Sequence, residues 1–245
     1  MKSIALIPAR YKSSRFPGKP LVPLLGKPMI VWVAESVARA LGRESVYVAT
    51  DDERIERVAR EHGFNTVMTS DRALTGTDRL WEASQKLDAD IYLNVQGDEP
   101  LLETADIRAV LAAKEANPHE VSNGMTPLSP GEDPHSVNIP KVVFTEDRRL
   151  LYMSRLAVPG FKAKENAPAK YWKQVCIYGF NRRDLDAYGK FGRKGLAEQH
   201  EDIEILRFFE LGIGVRMVET TGSSLAVDIP EDVAVVEAAM RRRGL

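Results

Sequence analysis

The chain has 245 residues, of which 44% are hydrophobic and 28% are charged, and its formal net charge is −1. These values describe an ordinary globular protein with enough residues for a sizeable core, and they exclude an overall positive field that would attract nucleic acid or an anionic membrane. The single cysteine, Cys176, excludes an internal disulfide and a multi-cysteine zinc site, and no apolar run is long enough to span a bilayer.

The first predicted element is a short buried strand at residues 4–9, which leaves no room for a signal peptide and so predicts a cytoplasmic protein. After it the chain becomes a loop with cations, small residues and prolines: Arg10, Lys12, Arg15 and Lys19; Ser13, Ser14 and Gly18; Pro17 and Pro20. A cationic loop after a core strand is typical of a site for a phosphorylated ligand, although most charge clusters are simply solvated. The loop is neither a Walker P-loop nor a Rossmann glycine motif, which argues against an ATP-hydrolysing switch and against NAD.

Strand and helix patterns alternate through the first 116 residues. Strands are predicted at 45–49, 65–69 and 90–95, and helices at 28–41, after a Thr50–Glu53 capping box, at 77–87 and from a Thr104 cap to 116. This alternation predicts parallel βαβ units with right-handed crossovers. Because ligands bind beyond the carboxyl ends of such strands, the loops 10–19, 50–52 and 96–100 should meet in one site.

The second half has a less regular pattern. Residues 116–140 are predicted to be mostly loop, and residues 159–173 are predicted to be a polar, mobile segment. Further strands are predicted at 141–145, 175–180, 215–218 and 225–227, with a short apolar segment at 150–155 and helices at 196–211 and 230–243. We therefore expect one domain over residues 1–245, whose second half supplies a lid or substrate wall and could supply a dimerisation arm.

Two aspartates, Asp98 and Asp228, each follow a predicted strand and could bind a metal ion. Carboxylates opposite phosphate-binding cations suggest magnesium, although a lone aspartate is more ordinarily a turn or helix cap, and the spacing does not prove that the two meet. No nucleophile constellation emerges, which favours phosphoryl or nucleotidyl transfer, since such reactions need positioning and charge neutralisation. Arg79, at a predicted helix start, is either an anion or base contact or an ordinary surface arginine.

Eight segments, taken in order, resemble the motifs of one enzyme family over nearly the whole chain. The first and specific one is PARYKSSRFPGKPL at 8–21, and the others are at 26–30, 48–52, 76–80, 94–100, 151–155, 177–180 and 227–232. They resemble the sugar-acid cytidylyltransferases, and among them the CMP-KDO synthetase (3-deoxy-manno-octulosonate cytidylyltransferase) family. The resemblance implies a nucleotide-diphospho-sugar-transferase-like α/β fold, a Rossmann-like three-layer arrangement with a mainly parallel sheet and a smaller irregular region for substrate binding and dimerisation.

The resemblance also implies an activity. CTP and a 3-deoxy-2-keto sugar acid such as KDO would give the CMP-sugar and pyrophosphate, for lipopolysaccharide or capsule synthesis, through in-line attack of the anomeric hydroxyl on the α-phosphorus assisted by Mg²⁺. Residues 1–116 would mainly bind the nucleotide, and residues 117–245 would mainly bind the sugar and form a homodimer.

Site residues follow from the resemblance position by position. It implies catalytic roles for Arg10, Lys19 and Asp98, and magnesium ligation by Asp98 and Asp228. The implied nucleotide-binding residues are Ala9, Arg10, Ser13, Arg15, Lys19, Thr50, Asp51, Ser70, Gly76, Thr77 and Arg79. The implied sugar-binding residues are Gln96, Arg155, Gln174, Tyr178, Glu204 and Ile205, with Arg155 a candidate partner for the substrate carboxylate.

Three positions depart from the family's pattern. Gln174 stands where a histidine is usual, Cys176 replaces a glycine, and Ile205 replaces a glutamine, which removes hydrogen-bonding capacity from the sugar side. The substrates left open are KDO, its 8-amino-8-deoxy analogue and a nonulosonate. From other classes, a silent nucleotide-binding protein is disfavoured because Lys19 and Asp98 are both present, and a glycosyltransferase because no Asp-x-Asp motif follows a core strand.

Overall fold

The computed structural model describes residues 1–12, 16–222 and 224–245, and within these ranges it contains eleven strands and eight α-helices. The strands are β1 Ser3–Ala9, β2 Pro23–Leu24, β3 Lys27–Pro28, β4 Val46–Thr50, β5 Asn65–Met68, β6 Ile91–Val95, β7 Val121–Pro127, β8 Lys141–Phe144, β9 Leu150–Ser154, β10 Trp172–Asn181 and β11 Val215–Glu219. The helices are α1 Met29–Leu41, α2 Glu53–Glu61, α3 Gly76–Ser84, α4 Thr104–Ala116, α5 Arg182–Lys190, α6 Leu196–Glu201, α7 Arg207–Glu210 and α8 Asp232–Arg242. None of the helices in these ranges is long and apolar enough to cross a membrane.

One mixed sheet runs through both halves of the chain in the order β11-β7-β10-β6-β1-β4-β5, with β8 and β9 added beside β10. The pairs β1–β4, β4–β5, β1–β6 and β7–β11 are parallel, whereas β10 is antiparallel to β6 and to β7. The mainly parallel α/β sheet predicted from the alternating strands and helices is therefore confirmed. Its parallel strands bring the loops after β1, β4 and β6 to the same edge.

Strand β1 is buried on both faces because apolar side chains occupy both sides of its pleat. Ile4 and Leu6 pack into the core layer that contains Leu80 of α3. Ala5 and Ile7 point the other way, into the layer that contains Val33 of α1. Helices thus cover both faces of the sheet, and a ligand can approach these strands only at their ends.

Strand β7 lies within residues 116–140, so the prediction that this segment is mostly loop is wrong. Its sequence, VSNGMTP, contains polar residues that a hydrophobic pattern does not detect, yet six of its seven residues are buried. Ser122 Oγ donates to the Val110 carbonyl, and Asn123 Nδ2 donates to the carbonyls of Val175 and Ile177, each at 2.9 Å. Because their side-chain donors are satisfied internally, these residues can occupy a buried strand.

Other predicted elements are corrected by the structure. The helix predicted at 196–211 is divided into α6, a 3-10 turn and α7, because Asp202 adopts a left-handed conformation with φ of 51°. The predicted strand 225–227 is irregular. Asp52, not Thr50, caps α2 by accepting from Arg54 N, and Thr104 is the first residue of α4 and not its cap.

Candidate active site

A cavity of ≈ 460 Å³ lies at the carboxyl ends of β1 and β6. One wall comes from the loops after these strands and from the start of α3, and the other comes from the α6 region. The lining residues are Pro8, Ala9, Arg10, Lys19, Pro20, Ala73, Leu74, Thr75, Gly76, Arg79, Gln96, Gly97, Asp98, Lys194, Glu198, Asp202, Glu204 and Asp228. The two predicted loops 10–19 and 96–100 therefore meet here, while the third, 50–52, reaches the cavity only through a contact of Asp51.

The backbone at the floor of the cavity is closely packed, which explains a glycine in the loop after β6. A Cβ at Gly97 would lie 3.1 Å from the carbonyl oxygen of Pro8 and 3.3 Å from the side chain of Ile30. Since this Cβ would meet backbone directly, a larger residue would push the β1 and β6 loops apart. Gly97 thus allows Arg10 and Asp98 to share one cavity.

Lys19 joins the two predicted metal ligands. Its Nζ lies 2.7 Å from Asp98 Oδ2 and 3.5 Å from Asp228 Oδ1. The backbone brings the two aspartates together independently, because Val227 N donates to the Asp98 carbonyl at 3.0 Å. Two carboxylates that are distant in sequence thus converge on one cation.

Arg79 lies in the wall of the cavity with its guanidinium almost completely buried. Its NH2 lies 3.4 Å from Asp51 Oδ1, and its NH1 donates to Thr69 Oγ1 and to the Ser70 carbonyl. Burial lowers the pKa of Arg79, and the carboxylate of Asp51 opposes that shift. In the structure, Asp51 and Ser70 therefore position Arg79 and do not line the cavity themselves.

Glu204 is a half-buried carboxylate that accepts hydrogen bonds at the start of helix α3. Its Oε1 accepts from Gly76 N at 2.9 Å, and its Oε2 accepts from Thr77 N at 2.9 Å and from Thr77 Oγ1 at 2.6 Å. Burial raises the pKa of Glu204, and these hydrogen bonds oppose the rise. The carboxylate also complements the positive end of the helix, so it fixes the second half of the chain against the nucleotide-side wall.

A buried ion network behind the cavity makes a second connection between the walls. Arg207 donates to Glu198 through Nε and NH2, both at 2.7 Å, and to Asp78 through NH1 at 2.8 Å and NH2 at 3.1 Å. Tyr188 lies under the guanidinium, 3.7 Å from ring centroid to Cζ. Sequence reasoning missed Arg207 and Glu198, since a buried arginine on a helix has the same local pattern as an exposed one.

Arg155 lies outside the cavity lining. Its NH1 donates to the Val137 carbonyl at 2.8 Å, its NH2 donates to the Asp202 carbonyl at 3.0 Å, and its Nε donates to the Glu201 carbonyl. In this arrangement Arg155 holds the backbone at the end of α6, where Asp202 lines the cavity. Its role as a partner of the substrate carboxylate stays a prediction.

Three other sugar-side residues also lie outside the cavity lining. Gln174 donates to Asn123 Oδ1 at 3.1 Å, Tyr178 stacks on Phe180 with ring centroids 6.0 Å apart, and Ile205 is buried in the core. The apolar packing of Ile205 accounts for an isoleucine at this position. Their contacts with a sugar stay predictions.

A polar group formed by the buried Glu99 and Tyr178 and the half-buried Cys176 lies next to Asp98. The Cys176 thiol interacts electrostatically with the Glu99 carboxyl and the Tyr178 hydroxyl. Burial and the neighbouring Asp98 raise the pKa of Glu99 to about 7, and burial together with Glu99 raises the pKa of Cys176 well above its usual range. Cys176 is therefore a neutral thiol behind the site.

Among the remaining nucleotide-side predictions, Ala9 and Arg10 line the cavity, as does Gly76, whereas Thr50 is buried at the end of β4. Ser13 and Arg15 lie outside the described residues. The sequence analysis also missed the ion pair of Lys194 and Asp202 at the cavity wall, with 2.7 Å between Nζ and Oδ1. Its two members are eight residues apart, with Lys194 just before the helix predicted at 196–211 and Asp202 within it.

Comparison with known proteins gives consistent results. The family model described as Cytidylyltransferase matches residues 4–214. The 3-deoxy-manno-octulosonate cytidylyltransferase of Escherichia coli is 38% identical, covering 98% of this chain and 96% of its own. The 8-amino-3,8-dideoxy-manno-octulosonate cytidylyltransferase of Shewanella frigidimarina is 39% identical, covering 97% and 98%. A solved CMP:2-keto-3-deoxy-manno-octonic acid synthetase complexed with CTP is 37% identical, with a TM-score of 0.91 over 99% of this chain and 100% of that one.

Proposed function

Because the chain belongs to the cytidylyltransferase family, we propose that it transfers CMP from CTP to KDO or a close analogue and releases pyrophosphate. The observation that carries this proposal is the convergence of Lys19, Asp98 and Asp228 in the same cavity as Arg10 and Arg79. These cations suit a triphosphate, and the carboxylates suit the cation that accompanies it. Full-length similarity to enzymes named for this reaction supports the same conclusion.

The proposed reaction is a nucleotidyl transfer at the α-phosphorus of CTP. The anomeric hydroxyl oxygen of the sugar acid forms the new P–O bond, the bond from the α-phosphorus to the bridging oxygen breaks, and the hydroxyl proton is lost. Negative charge develops on the departing pyrophosphate, and Arg10 and Lys19 would neutralise it. Such a reaction needs no covalent nucleophile, which agrees with the neutral state of Cys176.

We propose Mg²⁺ as the cofactor, held by Asp98 and Asp228 together with phosphate oxygens and water. Magnesium commonly takes only one or two protein carboxylates when a nucleotide supplies the other oxygens. The donors present fit this pattern, since both carboxylates already approach one ammonium group. When bound, the ion would neutralise phosphate charge and polarise the α-phosphoryl group.

The sugar is proposed to be KDO, with its 8-amino-8-deoxy analogue as the alternative. Relatives named for each sugar acid are similar to this chain to almost the same degree, 38% and 39% identity. Competition between the two acids would decide between them. A preference for the amino sugar would also indicate that Gln174 and Ile205 report a changed sugar site.

We further propose a cytoplasmic homodimer. Large apolar side chains are exposed on and after β9, and a second copy of the chain could cover them: Leu151 57%, Tyr152 38%, Leu156 68% and Phe161 49% exposed. Such a concentration of apolar surface is typical of an interaction site. Sedimentation analysis of the wild type and of Leu156→Glu would test this, and a wild-type monomer would contradict it.

Pyrophosphate release with CTP and Mg²⁺ is the direct test of function. We expect turnover with KDO or the amino sugar, and loss of turnover in Asp98→Asn with the fold intact. Asp88→Asn is the matched control, because Asp88 is exposed at the opposite end of β6. Full activity of Asp98→Asn would refute the metal role, and nucleotide binding without turnover of any acid would favour the silent nucleotide-binding protein.

A further inference from the structure

The ammonium of Lys19 lies where a metal ion between Asp98 and Asp228 would have to bind. Nζ is 2.7 Å from Asp98 Oδ2 and 3.5 Å from Asp228 Oδ1. In the absence of nucleotide, the positively charged ammonium of Lys19 therefore lies between the two carboxylates. A divalent ion that entered this position would be repelled by Lys19 unless the side chain moved.

The backbone at Asp98 and Asp228 is fixed by contacts that do not involve Lys19. Val227 N donates to the Asp98 carbonyl at 3.0 Å, and Asp232 Oδ2 accepts from Asp228 N at 2.8 Å and from Ile229 N at 3.0 Å. Val227 is itself completely buried in the core beneath α8. The backbone that carries the two carboxylates should therefore keep its position when the lysine side chain leaves.

The backbone of Lys19 is also fixed, and its side chain is held through the ammonium at the end of a long stem. Leu21 N donates to the Gly18 carbonyl at 2.9 Å, and Val22 N donates to the Lys19 carbonyl at 3.1 Å, so the turn is closed on both sides of Lys19. Beyond this turn, four methylene groups carry the ammonium, and a lysine stem of this length can reorient without movement of the backbone. Of the three charged side chains, the lysine has the longest stem and can therefore move its charge the furthest.

We propose that Lys19 is an internal competitor for the metal position, which it occupies in the nucleotide-free enzyme and leaves when a triphosphate offers it phosphate oxygens. The metal then enters together with the nucleotide and binds poorly on its own. This proposal rests on the proposed metal role of Asp98 and Asp228. It adds an order of binding, because the same side chain neutralises the carboxylates first and the phosphates afterwards.

The test is Mn²⁺ binding to the nucleotide-free protein, measured as the loss of the free-ion EPR signal during titration. Removing the charge in Lys19→Met should increase Mn²⁺ affinity by about ten-fold or more, since the ion would then approach the two carboxylates without repulsion from the lysine ammonium. Lys19→Gln, as a second neutral variant, should behave in the same way. Lys19→Arg should keep the low affinity, and Lys27→Met, which loses an ion pair with Glu35, should leave it unchanged.

Adding Asp98→Asn to Lys19→Met should abolish the gain and so place the bound ion at the cavity. Equal Mn²⁺ affinity of the wild type and both neutral variants would overturn the proposal, as would a gain that survives Asp98→Asn. Wild-type pyrophosphate release, measured in parallel, separates this failure from a failure of the proposed function. If turnover depends on Asp98 but Lys19 does not compete with the metal ion, the proposed function is retained and only the proposed order of binding is refuted.

Discussion

Replacing Arg207 by methionine should destabilise the protein by about 3–5 kcal/mol, because the change leaves two carboxylates buried without their cation. The Arg207 side chain is completely buried, and its partners Glu198 and Asp78 are 1% and 10% exposed. Both carboxylates make two hydrogen bonds to the guanidinium. Methionine retains apolar volume, so the loss measures mainly the missing charge and donors.

The assay is equilibrium unfolding in urea, supported by thermal melting. For a chain of this size each kcal/mol corresponds to roughly 2–4 °C in Tm, so a fall of about 6–20 °C is expected. Arg241→Met is the matched control, since the exposed pair of Arg241 with Glu237 should contribute only about 0.3–0.5 kcal/mol. Arg241→Met removes an arginine from a helix surface and leaves no buried carboxylate without its cation.

A triple variant separates the charge effect from the packing effect. Combining Arg207→Met with Asp78→Asn and Glu198→Gln removes the unpaired carboxylates, and it should recover part of the lost stability. A single-variant loss below about 1 kcal/mol would refute the reasoning, because that is the size of a surface pair. Such a small loss would mean that water or a side-chain movement stabilises the two carboxylates when the guanidinium is missing.

The other predictions concern α5 and the single cysteine. A Cβ at Gly189 would lie 1.9 Å from the ring of Trp81, so Gly189→Ala should lower the free energy of unfolding, measured in urea, by about 1–3 kcal/mol. Gly160→Ala is the control and should change little, because the space around Gly160 is open. Equal effects of the two variants would contradict this packing. Because burial and Glu99 raise the pKa of Cys176, iodoacetamide at pH 8 should modify the folded protein at least about ten-fold more slowly than the urea-unfolded chain. Equal rates, followed by mass spectrometry, would show that the thiol ionises freely.

The first half of the fold was predictable from sequence because its strands are continuous apolar runs and its helices have one apolar side. Strands β1, β4, β5 and β6 were all found within a residue or two of their bounds. The same reasoning missed β7, whose buried Asn123 is stabilised by carbonyls of β10, more than fifty residues further along the chain. Helix α5 also went unpredicted, although its Asn181–Asp184 capping box is visible in the sequence.

For the candidate site, sequence reasoning located the cavity better than the contacts within it. The position of Arg10, Lys19 and Asp98 follows from their place after buried strands. The contacts of Glu204 and Arg207 do not, because each depends on a partner more than 100 residues away at the start of α3. Pairings over such distances are set by tertiary packing, which local spacing cannot encode.

The position of β10 has a consequence for synthesis of the chain on the ribosome. Strand β10 lies between β6 and β7, so the edge of β6 cannot be paired until residue 181 has been made. At roughly 5–20 residues per second, the nascent sheet would expose that edge for about 4–17 s. An unpaired apolar edge invites association with other chains, and residues 1–116 expressed alone would retain it permanently. Chaperone dependence during translation should therefore be greatest over the stretch between β6 and β10.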